Sequence, residues 1–336
     1  MFKIVITFTS IVIVSLLASP AVKTGQTLSY DQNNNIVTDG SVKDGSGNIY
    51  AEGITDSNDG DISNGNNGFT DTLLTAGSID ADKWKLVWSD EFNYEGLPDK
   101  SKWTCEEGFI RNEEKQYYTR DRKENARVEN GTLIIEARKE KFENPIYDEN
   151  STDWRESREY AEYTSASLIT ENKASWKYGR IEVRAKLPQG LGIWPAIWTL
   201  GTSCSEVGWP ECGEIDIMEY IGRMPDTIYT TVAYVLSGGM VRERGNHVTD
   251  NPFADFHIYA MEWYPDRIDF FFDKIKYYSF QVENAGEGED NPFRKPHYLL
   301  INFALGGKWT GEIDNSIFPQ KYIIDYVRIY EQKTCQ

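Results

Sequence analysis

The sequence predicts an all-β fold, a sandwich of about a dozen antiparallel strands. The chain is 13% aromatic, and its 27 glycines and 12 prolines supply turns, which favours many strands over long helices. Strand-like segments bounded by turn residues recur at intervals of roughly eight to fifteen residues. Several alternate strictly, as in Arg180-Ile-Glu-Val-Arg-Ala-Lys, where one face is apolar and the other charged. Such alternation is typical of antiparallel sheets packed face to face.

Residues 1–21 have the pattern of a secretory signal. Lys3 precedes an apolar run over 4–17, and small residues occupy the positions expected before a cleavage site after Ala21. The run is too short to be interpreted first as a membrane span. We therefore expect a secreted or periplasmic protein that is soluble after cleavage, with no membrane attachment. We also expect a monomer.

Residues 22–82 are predicted to be a linker or disordered arm, because Asn, Asp, Gly and Ser dominate and too little apolar surface is available to offset the ordering entropy. The β-sandwich domain is predicted over 83–336. Its strand-like segments are 84–92, 132–137, 163–170, 179–186, 194–200, an acidic strand within 209–220, 228–236, 257–264, 267–273, 298–304 and 323–330.

The formal net charge of −18 repels nucleic-acid phosphates and anionic membranes. A neutral or cationic ligand is therefore expected, and no nucleic acid. Four cysteines in an exported chain permit two disulfides. Cys204 with Cys212 would close a short loop, and Cys105 with Cys335 would tie the first core strand to the C-terminus; the alternative for each pair is free buried thiols.

The segment 209–220 interleaves three carboxylates with apolar residues. The period of a strand places Glu214 and Asp216 on one face but Glu219 on the other. One bulged residue near Ile217-Met218 would return Glu219 to the face of the other two. Three acids converging on one wall indicate acid/base chemistry. The alternative is a half-buried strand with a solvated acidic face.

Glycoside hydrolysis uses two carboxyl groups, which in retaining enzymes lie about 5–5.5 Å apart. A third acid between them, Asp216, would hold one partner's charge and raise the pKa of the other. Sugar rings also require aromatic platforms with polar groups at their edges. The candidate substrate-binding residues are Trp194, Trp198, Trp209 and Trp309 as platforms, with Asn112, Arg180 and Asn302 at the edges. Individually, each could equally be a core, turn or solvated residue.

Several motifs together resemble glycoside hydrolase family sixteen, and in particular its laminarinase-like endo-β-glucanases. They are Glu214-Ile-Asp-Ile-Met-Glu, Gly190-x-x-x-Trp-Pro-Ala-Ile-Trp, Asn112-x-x-x-Gln-Tyr-Tyr-Thr, Tyr178-Gly-Arg-Ile-Glu-Val-Arg-Ala-Lys-Leu-Pro, His257-x-Tyr-x-x-Glu-Trp, Asn302-x-Ala-x-Gly-Gly-x-Trp and Asp325-Tyr-Val-Arg-Ile-Tyr. The resemblance spans about 84–332 and does not include the N-terminal arm.

The resemblance implies a concanavalin-like β-jelly roll with a concave substrate cleft. It also implies Glu214 as nucleophile, Glu219 as general acid/base and Asp216 as the residue that assists the nucleophile, with no cofactor for catalysis. Family members often carry a structural calcium, and the matching positions are Glu91, Gly131 through its carbonyl, and Asp325. Calcium prefers such oxygen ligands.

One departure affects specificity: many relatives have a His on the strand after the acids, where this chain has Ala233. The resemblance implies hydrolysis of β-1,3-glucan of the laminarin type by double displacement. The alternatives are a mixed-linkage β-1,3/1,4-glucanase and a non-catalytic β-glucan-recognition protein. Retention of all three acids argues against the last of these, and the negative charge argues against sulfated galactans.

Overall fold

The structure is a computed structural model that describes residues 29–30, 36–37 and 80–333. The predicted signal and nearly all of the predicted arm lie outside the described residues, as does Cys335. The chain divides into two compact units, Met1–Asp71 and Thr72–Gln336. In the first unit, β1 (Ser29–Tyr30) pairs antiparallel with β2 (Ile36–Val37). The arm and signal therefore stay predictions.

The second unit is built almost entirely of strands. In chain order they are β3 (Trp84–Asp90), β4 (Thr104–Cys105), β5 (Gln116–Tyr118), β6 (Ala126–Glu129), β7 (Thr132–Glu143), β8 (Tyr160–Ser165), β9 (Ser167–Ile169), β10 (Gly179–Lys186), β11 (Ile193–Gly201), β12 (Glu214–Tyr220), β13 (Thr227–Leu236), β14 (Gly239–Val248), β15 (His257–Trp263), β16 (Arg267–Phe272), β17 (Ile275–Gln281), β18 (His297–Leu305) and β19 (Gln320–Gln332). A short helix, α1 (Cys204–Val207), and three 3-10 turns at Val282–Ala285, Pro292–Arg294 and Asn315–Ile317 complete the elements. Within 80–333, no helix is long and apolar enough to cross a membrane.

These strands form two sheets. The ten-stranded sheet has the order β17-β16-β15-β10-β19-β7-β8-β5, with β3 also pairing with β19 and β6 with β7. The seven-stranded sheet has the order β14-β13-β12-β11-β18-β9-β4. All pairs are antiparallel except β5 with β8. The predicted all-β jelly-roll sandwich is confirmed.

The core lies between the sheets and follows the alternation in the sequence. On β10, Ile181, Val183 and Ala185 are buried in the core, as predicted from their spacing. On β12, Ile215, Ile217 and Met218 enter the same core. Each fully buried aliphatic side chain contributes about 1.5–3 kcal/mol, so this apolar face fixes which side of β12 points outward.

Candidate active site

A β-bulge in β12 brings the three acids to one face. Against β11, Ile197 pairs with Met218 but Trp198 pairs with Asp216, which leaves Ile217 as the additional residue. The register with β13 shifts at the same place, between Asp216 and Glu219. Ile217 and Met218 both point into the core. The predicted bulge is confirmed, and Glu214, Asp216 and Glu219 share the outer face of the seven-stranded sheet.

The three acids line a small cavity of about 60 Å³. The cavity is also lined by Asn112, Glu114, Trp194, Ala196, Trp198, Asn302 and Ala304. The structure thus places four of the seven predicted substrate-binding residues around the acids.

Trp209 and Trp309 lie at the margins of this cavity. Trp209 is 46% exposed, and its indole Nε1 donates a hydrogen bond of 2.9 Å to Glu214 Oε2. Trp309 contacts Trp194 edge to face, with 5.1 Å between ring centroids. The guanidinium of Arg242 lies over Trp209 and that of Arg244 over Trp309. The platforms are therefore held in place by neighbouring side chains.

The disulfide nearest the acids is present: Cys204 is bonded to Cys212, as one of the two sequence alternatives predicted. It closes the loop that carries Trp209. Because Gly213 directly precedes the acid strand, the disulfide anchors this loop at the start of β12. Pairing of Cys105 stays a prediction, since its proposed partner lies outside the described residues.

Asn302 is committed to a buried network behind the cavity. Its Oδ1 accepts from Trp198 Nε1 at 2.7 Å, and its Nδ2 donates to the Tyr118 hydroxyl at 2.8 Å. Tyr118 lies 3.4 Å from Glu114 Oε2, which also accepts from Gln116 Nε2 at 2.7 Å. Asn302 therefore orients Trp198, and it also lines the acid cavity, so its contact with substrate stays a prediction. Sequence reasoning missed Glu114 and Tyr118, although both lie within or beside the Asn112 motif.

Glu219 accepts a hydrogen bond from Thr231, which in turn accepts one from Arg244. Thr231 Oγ1 donates to Glu219 Oε2 at 2.9 Å, and Arg244 Nε lies 3.2 Å from Thr231 Oγ1. A guanidinium can only donate, so the Thr231 oxygen must accept from Arg244 and its hydroxyl proton must point to Glu219. Oε2 is thereby an acceptor, and a proton carried by Glu219 is confined to Oε1. Neither Thr231 nor Arg244 was predicted as a site residue.

Burial raises the pKa of all three acids. For Glu214, burial and then the charge of Glu219 raise the pKa to about 7. For Asp216, burial and the charges of Glu214 and Glu219 raise the pKa well above its ordinary value. Burial also raises the pKa of Glu219, while the Thr231 hydroxyl and Arg244 oppose the rise. At neutral pH the group therefore holds fewer than three negative charges.

Ala233, the position where the resemblance led us to expect a His, lies directly beside the acids. Ala233 on β13 is opposite Glu214 on β12, and Arg242 on β14 is opposite Ala233. The small, buried methyl group offers no hydrogen bond where a His would offer one. On this row, Arg242 supplies the polar side chain on the far side of Ala233 from Glu214.

Arg180 does not lie at this site, and its assignment to the substrate cleft is corrected. It is on β10 in the ten-stranded sheet, buried between Glu182 and Glu262, with 2.7 Å from Nη2 to Glu182 Oε2 and 3.2 Å from Nη1 to Glu262 Oε1. The charged face of β10 was correctly predicted, but alternation along a strand does not specify which sheet the strand joins.

The three predicted calcium ligands share one groove on the ten-stranded sheet. As folded, the set does not fit a cation. Both oxygens of Glu91 are held by Arg328, at 3.0 and 2.8 Å, and Asp325 accepts from Arg184 at 2.6 Å. Across residues 80–333, no three His, Cys, Asp or Glu side chains gather into a metal centre. Gly131 adds only a carbonyl, so a calcium ion here would require Arg328 and Arg184 to release these carboxylates. The calcium stays a prediction.

Known proteins of one family are similar to this chain. Residues 113–328 match the family described as Glycosyl hydrolases family 16. The chain is 44% identical over 269 residues to a protein named "Beta-glucanase" from Rhodothermus marinus, covering 76% of this chain and 88% of the relative. It superposes with a TM-score of 0.64 on the solved laminarinase from Rhodothermus marinus, at 44% identity, covering 75% and 98% of the two chains.

A further solved structure is also similar. It belongs to a study titled "Prominent members of the human gut microbiota express endo-acting O-glycanases to initiate mucin breakdown", with a TM-score of 0.71, 39% identity and coverage of 76% and 93%. The chain belongs to glycoside hydrolase family 16. It is a glycoside hydrolase with the jelly-roll fold of that family.

Proposed function

We propose that this protein is a secreted or periplasmic, endo-acting β-1,3-glucanase that cuts laminarin-type β-glucan with retention of configuration. The names of the Rhodothermus marinus relatives support glucan as the substrate class. The N-terminal signal pattern supports export.

The bulge at Ile217 carries the proposal. It places Glu214 and Glu219 on one face of one strand, with Asp216 between them. Two carboxyl groups so placed suit a retaining reaction, in which one carboxylate attacks the sugar directly and no water molecule has to fit between the two groups. The aromatic side chains of Trp194 and Trp209 flank the pair and suit the apolar faces of sugar rings.

In the first step, the Glu214 carboxylate attacks the anomeric carbon while Glu219 gives its proton to the leaving oxygen. The Glu214 ester then forms and the glycosidic bond breaks. In the second step, Glu219 takes a proton from water, which attacks the anomeric carbon and releases Glu214. The proton on Oε1 of Glu219 is the one transferred, since Oε2 accepts from Thr231. None of these steps calls for a cofactor.

A reducing-end assay on laminarin, lichenan and agarose tests the substrate. Cleavage of laminarin alone supports the proposal, and preference for lichenan supports the mixed-linkage alternative. No cleavage of any glycan, with glucan binding retained, would support a recognition protein. Proton NMR of the first product tests the stereochemistry: a β-anomer is expected, and an α-anomer appearing first would contradict the role of Glu214.

A second candidate is endo-hydrolysis of mucin-type O-glycans. It is favoured by the likeness to the structure from the gut O-glycanase study, together with Ala233 in place of the His that laminarinase-like relatives often have. The same assay on mucin O-glycans, run beside laminarin, separates the two. Release of oligosaccharides from mucin without cleavage of laminarin would replace the leading proposal.

A further inference from the structure

Glu114 is a buried carboxyl group that lines the acid cavity but has no role in the two reaction steps. It is 3% exposed and lies two residues before β5 in the sequence. Its Oε2 accepts a hydrogen bond from Gln116 Nε2 at 2.7 Å and lies 3.4 Å from the Tyr118 hydroxyl. Its Oε1 accepts from Asn112 Nδ2 at 3.1 Å. The two oxygens of Glu114 therefore have different partners, and only Oε1 is bonded to a side chain that was predicted to touch substrate.

A chain of hydrogen bonds that begins at Trp198 fixes the direction of the Tyr118 hydroxyl. The Trp198 indole can only donate, and its Nε1 donates to Asn302 Oδ1 at 2.7 Å. The amide of Asn302 must then turn its Nδ2 to the Tyr118 oxygen, which accepts at 2.8 Å. The Tyr118 proton is left to point at Glu114 Oε2.

A second chain, which begins at the backbone of Leu305, ends at the same oxygen. The Leu305 N–H donates to Gln116 Oε1 at 2.8 Å, so the amide nitrogen of Gln116 must donate to Glu114 Oε2. Two obligate donors thus begin two chains that both make Oε2 an acceptor. A proton carried by Glu114 is confined to Oε1, the oxygen that faces Asn112.

The amide of Asn112 must therefore follow the charge of Glu114. Beside a carboxylate, Asn112 Nδ2 donates to Oε1, as in the structure, and Oδ1 lies on the other side of the amide. Beside a protonated Oε1, the Asn112 oxygen must accept, which turns Nδ2 away from Glu114. Only the soft terminal torsion of the side chain has to change. The group that Asn112 offers to the acid cavity then changes from an acceptor to a donor.

This change matters to a sugar because Asn112 Oδ1 is an uncharged acceptor at the cavity. Among the other polar groups of the lining, Trp198 and Asn302 are bonded to each other, and the three acids carry out the reaction. A sugar hydroxyl that donates to Asn112 Oδ1 loses its acceptor when the amide turns. The cost is one neutral hydrogen bond.

Charges on several elements act on Glu114. Burial raises its pKa most strongly, the positive charge of Arg111 opposes the rise, and Glu106, which is paired with Arg111, adds to it. The other titratable and charged neighbours are Tyr118 on β5, Arg158, which donates to the Glu114 carbonyl at 2.8 Å, and the three acids that line the same cavity. Glu114 therefore changes its charge at a higher pH than an ordinary glutamate.

We propose that Glu114 is a positioning residue whose charge sets the Asn112 amide: the carboxylate makes Asn112 present its carbonyl oxygen to a sugar hydroxyl, and the protonated form makes it present N–H. The inference rests on the proposed function only in taking a glycan as the ligand. It adds a dependence of sugar binding on pH that is separate from the titration of the three acids.

The test compares KM for Glu114→Gln and the parent on an oligosaccharide of whichever glycan the reducing-end assay shows to be cut. In the variant, the amide oxygen must accept from Tyr118 and Gln116, so the amide nitrogen faces Asn112 at every pH. We expect KM at about pH 8 to be about two- to tenfold above the parent value, with kcat unchanged. The ratio of the two KM values should fall toward one as the pH is lowered, because the parent then carries a proton on Oε1. Since both proteins contain the three acids, their titration cancels in this ratio.

The choice of substrate keeps this test separate from the identity of the glycan. If a glycan is bound but not cut, the dissociation constant takes the place of KM. Glu149→Gln is the matched control, because it makes the same change of charge at an exposed glutamate that lines no part of the acid cavity. It should leave KM unchanged at every pH.

Asn112→Gly separates the proposed role from a purely structural one. Glycine suits the left-handed backbone of this position, where φ is 57°, and removes the amide. Addition of Glu114→Gln to this variant should not raise KM further. An equal rise with and without the Asn112 side chain would overturn the proposal, and so would a KM ratio that does not change with pH.

If Glu114→Gln does not fold, Asn112→Gly alone provides the test. Its KM should exceed that of the parent about two- to tenfold at about pH 8, and the ratio should approach one at low pH, where the parent no longer presents Oδ1. A ratio that is the same at both pH values would overturn the proposal.

Discussion

Replacement of Thr231 by Val tests how the acid/base is set up. The change keeps the shape of the buried side chain but removes the hydroxyl that donates to Glu219 Oε2 at 2.9 Å. That hydrogen bond stabilises the carboxylate form, so its loss must raise the pKa of Glu219 above its present, already raised position. A general acid works only while protonated, so the basic limb of the activity profile moves to higher pH.

The size of the shift in the basic limb follows from the strength of the hydrogen bond between Thr231 and Glu219. A hydrogen bond to a charged group contributes about 1.5–3 kcal/mol. Since 1.36 kcal/mol corresponds to one pH unit, the basic limb should move upward by about one unit or more. Arg244→Met should move it in the same direction, because it removes both a positive charge and the donor that orients the Thr231 hydroxyl.

The assay is kcat/KM against pH on the polymer cut most efficiently, with folding checked by circular dichroism. Thr231→Ser is the control: it retains the hydroxyl and should keep the parent profile. A basic limb that stays in place in Thr231→Val, while activity merely falls at every pH, would refute the role of this hydrogen bond.

Four further outcomes are expected. Glu219→Ala should lose nearly all glucan hydrolysis yet form a glycosyl azide from an activated aryl glycoside, which needs no proton on its leaving group; absence of the azide product counts against the acid/base role. In thermal unfolding, Asp216→Asn should raise the Tm at pH 8 by about 2–8 °C, which corresponds to about 1–2 kcal/mol in the free energy of unfolding. The pKa of Asp216 is raised in the folded protein, so its ionisation costs stability as pH rises, and the gain in Tm should vanish near pH 4. Calcium should raise the Tm, and chelation lower it, if the cation displaces Arg328 from Glu91; an unchanged Tm would remove the predicted calcium. Truncation of residues 22–80 should leave a soluble protein active on short oligosaccharides, and loss of folding would show that the arm packs on the sandwich.

Sequence patterns predicted the features that depend on local periodicity. The alternation over Gly179–Lys186 gave both the bounds and the buried face of β10. The misfit of Glu219 with that same period indicated the bulge. Both depend on neighbours along one strand, which is why they could be predicted from one chain without any knowledge of tertiary contacts.

Features that depend on the assembled sheets could not be predicted in this way. β14 (Gly239–Val248) was missed because it is an edge strand of the seven-stranded sheet with mostly exposed side chains, so no apolar alternation marks it. Its residue Arg244 reaches Glu219 only through a register with β13 that the sequence does not specify. Arg180 was assigned to the cleft because nothing local distinguishes the outer face of one sheet from that of the other.

Hydrogen-bond donors, more than burial, distinguish the three acids. All three have raised pKa values with burial as the first cause, so burial alone would leave their roles ambiguous. Glu214 accepts from the Trp209 indole and Glu219 from the Thr231 hydroxyl. Within the described part of the chain, no side chain donates to the Asp216 carboxyl group.

A proton shared among three buried acids resides where the charge is least compensated, which here is Asp216. The sequence had assigned to Asp216 a charge that raises the pKa of a partner. The structure favours the opposite sense: a protonated Asp216 lowers the repulsion between its neighbours. Glu214 can then ionise for attack while Glu219 retains the proton that it must give to the leaving group.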